Sequence, residues 1–208
     1  MTPPAGAPDA SAASAGAARI LTVCTGNVCR SPMAEAWLRA GLPAVQVVSA
    51  GTGALVGAPM EPIGVEIVRQ LGADASNHRA RQLSPVLLDG AGLVLTLSRA
   101  HSAEILELSP GLTRRVFTLR EFAALLAGVG AHRLTEIHEQ TPGEEPAARL
   151  AAVVALASLQ RTATRLPADD SLDVLDPYRR AQTVWVASAR QIRPAVLTIV
   201  RALSDAGV

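Results

Sequence analysis

Ile20-Leu21-Thr22-Val23-Cys24-Thr25-Gly26-Asn27-Val28-Cys29-Arg30-Ser31-Pro32-Met33-Ala34-Glu35-Ala36-Trp37-Leu38 is the stretch that decides the fold. Its opening residues are aliphatic or β-branched and read as a strand buried on both faces. Its closing residues follow a helical pattern, with Pro32 near the helix start, where a missing N–H costs nothing. Between them lies a tight loop with a thiol at one end and a guanidinium at the other. Strand, loop, helix is the arrangement in which backbone N–H groups converge on an anion. Arg30 adds a bidentate grip on phosphate oxygens. The same field favours a thiolate at Cys24. A thiolate beneath a bound phosphate is a nucleophile aimed at phosphorus.

Working outward, residues 20–24, 45–50, 93–97 and 116–119 form four short β-rich runs. Helical patterns separate them: 61–71, closed by Gly72, and 101–108, stopped by Pro110-Gly111. This alternation predicts an α/β fold, a three-layer α/β/α sandwich around a four-stranded parallel sheet. Ligands then bind at the carboxyl ends of the strands, where Cys24 lies. Beyond Leu119 the alternation stops. Residues 121–127 and 147–166 read as helices, separated by Thr141-Pro142-Gly143, and Pro167-Ala168-Asp169-Asp170 reads as a loop. A last helix is expected over 182–203, kinked or interrupted at Pro194. Residues 1–17, mostly Ala, Pro, Gly and Ser, read as a disordered tail without the basic and apolar regions of a signal peptide.

The bulk numbers exclude several classes. All 19 basic residues are Arg, scattered along 208 residues, and the formal net charge is +1, so nothing points to nucleic acid or an anionic membrane. The most apolar helical stretch, 150–157, is too short to span a bilayer. Two cysteines five apart in one loop cannot staple a scaffold and read as chemistry in a reducing, cytoplasmic setting. The four His suggest no metal site, and no cofactor is expected.

The thirteen residues from Val23 to Glu35 resemble the signature of low-molecular-weight protein-tyrosine phosphatases. Three further pieces agree in order: Ser49-Ala50-Gly51-Thr52, His78-Arg79-Ala80-Arg81-Gln82-Leu83 and Asp176-Pro177-Tyr178. A bare C-x5-R occurs by chance; the full stretch is far more specific. The resemblance implies Cys24 as nucleophile, Arg30 as phosphate binder and transition-state stabiliser, and Asp176 as general acid. It implies that Ser31 donates to the thiolate and that Asn27, with Ser49, holds the loop's conformation. Thr25, Gly26, Val28 and Cys29 complete the phosphate-binding loop; Leu55 and Tyr178 line the cleft, and His78 supports it from behind. The chain then reads as one phosphatase domain, 18–208, with a helical insertion at about 121–170. That insertion is extra helix packed on the sheet or a surface for a partner. The implied reaction hydrolyses phosphotyrosine through a cysteinyl-phosphate, without metal. Its partner is a tyrosine-phosphorylated protein, with a tyrosine kinase as one candidate.

Departures from the family pattern bear on substrate and branch. After Ser-Ala-Gly the chain reads Thr52-Gly53-Ala54-Leu55-Val56, without the aromatic common there. This is similar to the bacterial branch paired with autokinases of polysaccharide export. Tyr178 is the only Tyr and is followed by Arg179-Arg180, which suit acidic flanks. The protein-arginine phosphatase branch tends to carry Thr where this chain has Val28. Thioredoxin-linked arsenate reductases need cysteines beyond Cys29. A non-catalytic phosphoprotein-binding module is a further alternative, although both nucleophile and acid are retained.

Plainer readings accompany several residues. Cys29 packs behind the loop or forms a protective disulfide with Cys24 on oxidation. Asp176 before Pro could be a helix cap, Asp173 a solvated carboxylate, and His78 a satisfied structural histidine. His101 reads as a helix start, and His132 and His138 have no evident partners.

Overall fold

A computed structural model describes residues 18–141, 143–167 and 170–208. The proposed tail at 1–17, Pro142, and Ala168 and Asp169 of the expected loop lie outside the described residues. Four strands, β1 (Arg19–Cys24), β2 (Gln46–Gly51), β3 (Leu93–Thr96) and β4 (Val116–Thr118), pair in the order β2-β1-β3-β4. Every pairing is parallel, with Cys24 opposite Gly51 and Val23 opposite Thr96. Helices join them: α1 (Arg30–Gly41), α2 (Pro62–Gln70), α3 (Pro85–Asp89) and α4 (Arg99–Leu108). After β4 come α5 (Leu119–Ala127), α6 (Ala131–Gln140), α7 (Pro146–Ala163) and α8 (Gln182–Asp205).

Side chains alternate across the sheet because successive Cβ atoms point to opposite faces. Ile20, Val47, Leu93, Leu95 and Phe117 share one core with residues of α1, α5, α7 and α8. Leu21, Val23, Ala50, Val94 and Val116 share the other with Leu88 of α3 and Ile105 of α4. Three layers result, as the alternation predicts.

Two helices went unread in the sequence. α3 is a single short turn after Ser84, with Pro85 at its first position. α6 follows Gly128-Val129-Gly130 and buries only Leu134, so its local signal is weak and its docking on α7 and α8 decides it. His132 does have a partner, Glu136 at 3.0 Å, one turn along α6. Pro194 does not interrupt α8, which runs through it for 24 residues. Pro194 itself is exposed, while Ile192, Ala195, Val196 and Ile199 around it are buried and hold the helix to the core.

The α7 helix packs against the sheet with Leu150, Val153, Val154 and Ala157 buried. Arg161 fixes its far end: its Nε lies 2.8 Å from Glu121 and its guanidinium covers the Phe117 ring at 3.8 Å. Arg149 donates to the carbonyl oxygens of Gly207 (2.8 Å) and Thr141 (3.0 Å), tying α7 to the C-terminus and the end of α6. No described helix is long and apolar enough to cross a membrane.

Candidate active site

The loop between β1 and α1 turns so tightly that Asn27 takes a left-handed backbone, φ 53°. Asn tolerates this better than most residues with a Cβ, and here its buried side chain holds the turn from inside. Asn27 Nδ2 donates to Ser31 Oγ (3.0 Å) and Ser49 Oγ (2.8 Å), and Oδ1 accepts from the Arg81 amide (2.8 Å). Gly51, beside the loop, has no room for a Cβ, which would run into the Thr25 carbonyl oxygen. Among the described residues, the N–H groups of Gly26 to Cys29 donate to no protein acceptor. They are left for a ligand.

Polarity runs one way through the groups behind the loop. Glu35 is buried and, as a carboxylate, only accepts; Ser49 donates to it at 2.5 Å. Ser49 therefore accepts from Asn27, and Asn27 donates on to Ser31. The Ser31 hydroxyl proton has two acceptors in reach, Cys24 Sγ at 3.0 Å and, longer, the Ala50 carbonyl at 3.5 Å; the shorter contact directs it to Cys24. His78 closes the back of the loop, with Nε2 2.7 Å from the Asn27 carbonyl and Nδ1 3.7 Å from Glu35. Burial is the largest influence on Glu35 and pushes its pKa up. The His78 and Ser49 contacts together outweigh it and hold the carboxyl below its ordinary value.

Arg30, at the first turn of α1, is nearly buried. Its Nη2 lies 2.8 Å from Asp176 Oδ2 and its Nη1 donates to the Val174 carbonyl at 3.2 Å. Among the described residues its buried Nε has no partner, and an orphaned buried cation donor asks for an anion. The segment bearing Asp176 is fastened to the end of β3, where the Val174 amide donates to the Leu97 carbonyl at 2.9 Å. Asp173, the second carboxylate considered from sequence, accepts from the Arg99 amide at the start of α4 (2.8 Å). Asp176 Oδ1 accepts from the Tyr178 amide (3.1 Å) and the Arg179 guanidinium lies 5.1 Å from the Tyr178 ring centre.

Cys24, Thr25, Gly26, Val28, Cys29, Arg30, Leu55, Asp176 and Tyr178 line one cavity of about 200 Å³, together with Gly53. Asn27, Ser31, Ser49 and His78 stand behind the loop, out of the cavity. Cys29 is buried and its thiol pKa is raised, by burial first and by Cys24 second. Sequence reading gave no role to Glu35 or His101. Glu35 sits in the signature itself, but nothing local shows that it meets Ser49. His101 comes from 76 residues away to within 2.9 Å of Thr25 Oγ1, and only tertiary structure brings the two together. No group of His, Cys, Asp and Glu suited to a metal ion occurs among the described residues.

The chain is thus a parallel α/β/α sandwich with a tight loop, amides without a described partner and a thiol at the end of its first strand. The family model for low molecular weight phosphotyrosine protein phosphatase matches residues 19–132, and the chain belongs to that family. It is similar to a probable low molecular weight protein-tyrosine-phosphatase, EpsP, of Ralstonia solanacearum. The two are 51% identical over 102 residues, 49% of this chain and 70% of that protein. A protein-arginine-phosphatase of Geobacillus stearothermophilus is 40% identical over 107 residues, 51% of this chain and 72% of its own. Among solved structures, Vibrio vulnificus Wzb in complex with benzylphosphonate shares the fold. Its TM-score is 0.62 at 23% identity, covering 89% of this chain and 99% of that one.

Proposed function

We propose that this protein is a phosphotyrosine-protein phosphatase working through a cysteinyl-phosphate. The observation that carries this reading is the convergence of Cys24, Arg30 and Asp176 on one cavity, beside amides and an Arg30 Nε that have no partner among the described residues. Phosphate occupies the loop and takes the guanidinium. The Arg30–Asp176 pair is a weak restraint because the Asp176 side chain is 52% exposed. Phosphate displaces it and releases the carboxyl toward the ester oxygen. Cys24 sulfur attacks phosphorus in line while the aryl P–O bond breaks, and Asp176 gives its proton to the leaving phenolate. Water then attacks phosphorus, Asp176 takes its proton, the S–P bond breaks and inorganic phosphate leaves. Loop amides and Arg30 hold the equatorial oxygens throughout. Leu55 and Tyr178 give the cavity apolar walls suited to an aryl ring, and Val28 adds no polar partner for a guanidino group.

The test is turnover of a phosphotyrosyl and a phosphoarginyl peptide side by side, with Cys24→Ser as control. Faster Cys24-dependent release from phosphotyrosine supports the reading. Preference for phosphoarginine keeps the chemistry and overturns the substrate class. Stoichiometric binding without turnover by either peptide makes the protein a phosphoprotein-binding module. Asp176→Asn should cut kcat steeply on a poor leaving group; a wild-type rate there removes Asp176 from the acid role.

A further inference from the structure

His101 is buried beside the loop and the chemistry above does not use it. Its Nδ1 is 2.8 Å from Ser98 Oγ and its Nε2 is 2.9 Å from Thr25 Oγ1. Ser98 caps α4 by accepting the His101 amide through the same oxygen. Ser98 is itself buried, and among the described residues its hydroxyl proton has one acceptor within reach, His101 Nδ1. A buried hydroxyl proton goes to its acceptor. Nδ1 is therefore unprotonated, and the ring proton sits on Nε2 and points at Thr25. Burial first, then the nearby Arg30 charge, lower the His101 pKa to about 4, so the ring is neutral near pH 7. Thr25 Oγ1 receives that proton as an acceptor. Its own O–H stays available at an exposed position on the cavity wall, with the Thr25 methyl turned toward Gly53.

We propose that Ser98, His101 and Thr25 form a directed hydrogen-bond relay that aims the Thr25 hydroxyl proton into the cavity as a side-chain donor to the bound phosphoryl group. His101 is then a positioning residue for Thr25. The relay reaches from the end of β3 to the first loop residue after the nucleophile. Leu97, whose carbonyl holds the Asp176 segment, directly precedes Ser98, so one junction positions the acid segment and the extra donor. This inference rests on the phosphoryl-transfer reading of the cavity.

The experiment measures competitive inhibition by inorganic phosphate, kcat and KM for an aryl phosphate, and thermal stability. The proteins are wild type, Thr25→Val, Thr25→Ser, His101→Phe, His101→Gln and the double variant Thr25→Val/His101→Phe. Losing a hydrogen bond to a charged group predicts an inhibition constant raised about tenfold or more in Thr25→Val. Thr25→Val also leaves the buried His101 Nε2–H without its acceptor, so its melting temperature should fall by a few degrees, and Thr25→Ser should restore it. Thr25→Ser keeps the hydroxyl, and His101→Gln keeps a donor near Thr25, so both should retain most of the affinity. The double variant should bind phosphate no worse than Thr25→Val alone, because the two residues act through one proton. Unchanged phosphate affinity in Thr25→Val, or no rescue by Thr25→Ser, overturns the relay. Fully additive losses in the double variant also overturn it. If His101→Phe does not fold, the Thr25 pair and His101→Gln decide the matter. Wild-type protein that neither binds phosphate nor hydrolyses the ester overturns the phosphoryl reading itself, and the relay with it.

Discussion

Asn27→Ala should unfold the protein far more readily than its size suggests. The side chain is fully buried and makes three hydrogen bonds, to Ser31, Ser49 and the Arg81 amide. At about 1 kcal/mol each, their loss costs roughly 3 kcal/mol. The Cβ penalty at φ 53° is common to asparagine and alanine and does not enter this difference. The loss of roughly 3 kcal/mol is about 6–12 °C in melting temperature for a chain of this length. Asn27→Gly isolates the backbone contribution: it loses the same hydrogen bonds but relaxes the backbone, and should be more stable than Asn27→Ala by about 1 kcal/mol. Urea unfolding of the three proteins measures both differences. Activity should fall with stability, because the serine that donates to Cys24 loses its own donor. A loss under about 1 kcal/mol in Asn27→Ala would refute the assignment of the loop's shape to this side chain.

Leu150→Ala should cost about 2–4 kcal/mol by leaving a cavity between α7 and the sheet; an unfolding midpoint like wild type would show that α7 is dispensable to the core. Glu35→Gln tests the sign of the pH dependence. The Glu35 pKa is depressed in the folded protein, so its stabilisation is present above the ordinary value of 4.5 and is lost as pH falls through the lower one. The gap in urea midpoint between wild type and Glu35→Gln should therefore be largest near neutral pH and shrink in acid; a gap that widens in acid contradicts the ionised assignment. Iodoacetate near neutral pH should modify one thiol, with protection by inorganic phosphate, because burial raises the Cys29 pKa and keeps it protonated. Mass spectrometry should find the label on Cys24, and labelling of Cys29 in Cys24→Ser at a similar rate would sink this reading.

Much of the fold was legible because its signals are local. Ile20 to Cys24, Leu93 to Leu97 and Val116 to Leu119 are short apolar runs that only a doubly covered sheet can bury. Gly72 and Pro110-Gly111 mark where the helices between them stop. The segments that escaped have weak local signals. α6 presents one buried side chain, Leu134, and becomes a helix because α7 and α8 give it a surface. Pro194 carries a local signal for a break that the packing of Ile192 and Ile199 overrides.

The sequence alone determined the loop proposed to bind phosphate. Its strand, tight turn, Arg30 and helix start lie within a few residues, and their chemistry follows from proximity along the chain. Tertiary structure decided what meets that loop. Asp176 stands 146 residues from Arg30, His101 76 from Thr25, and the Ser49 that Glu35 anchors comes from the neighbouring strand. The parallel register brings the carboxyl ends of β1, β2 and β3 to one edge. Ser49 lies near the end of β2, His101 in the helix that follows β3, and the Asp176 segment between α7 and α8 is hydrogen-bonded to Leu97 just past β3. Proton directions are a tertiary property as well. Whether Ser31 or Thr25 donates depends on which buried acceptor terminates the chain of hydrogen bonds behind it, and the acceptors Glu35 and His101 Nδ1 take that place only in the folded protein.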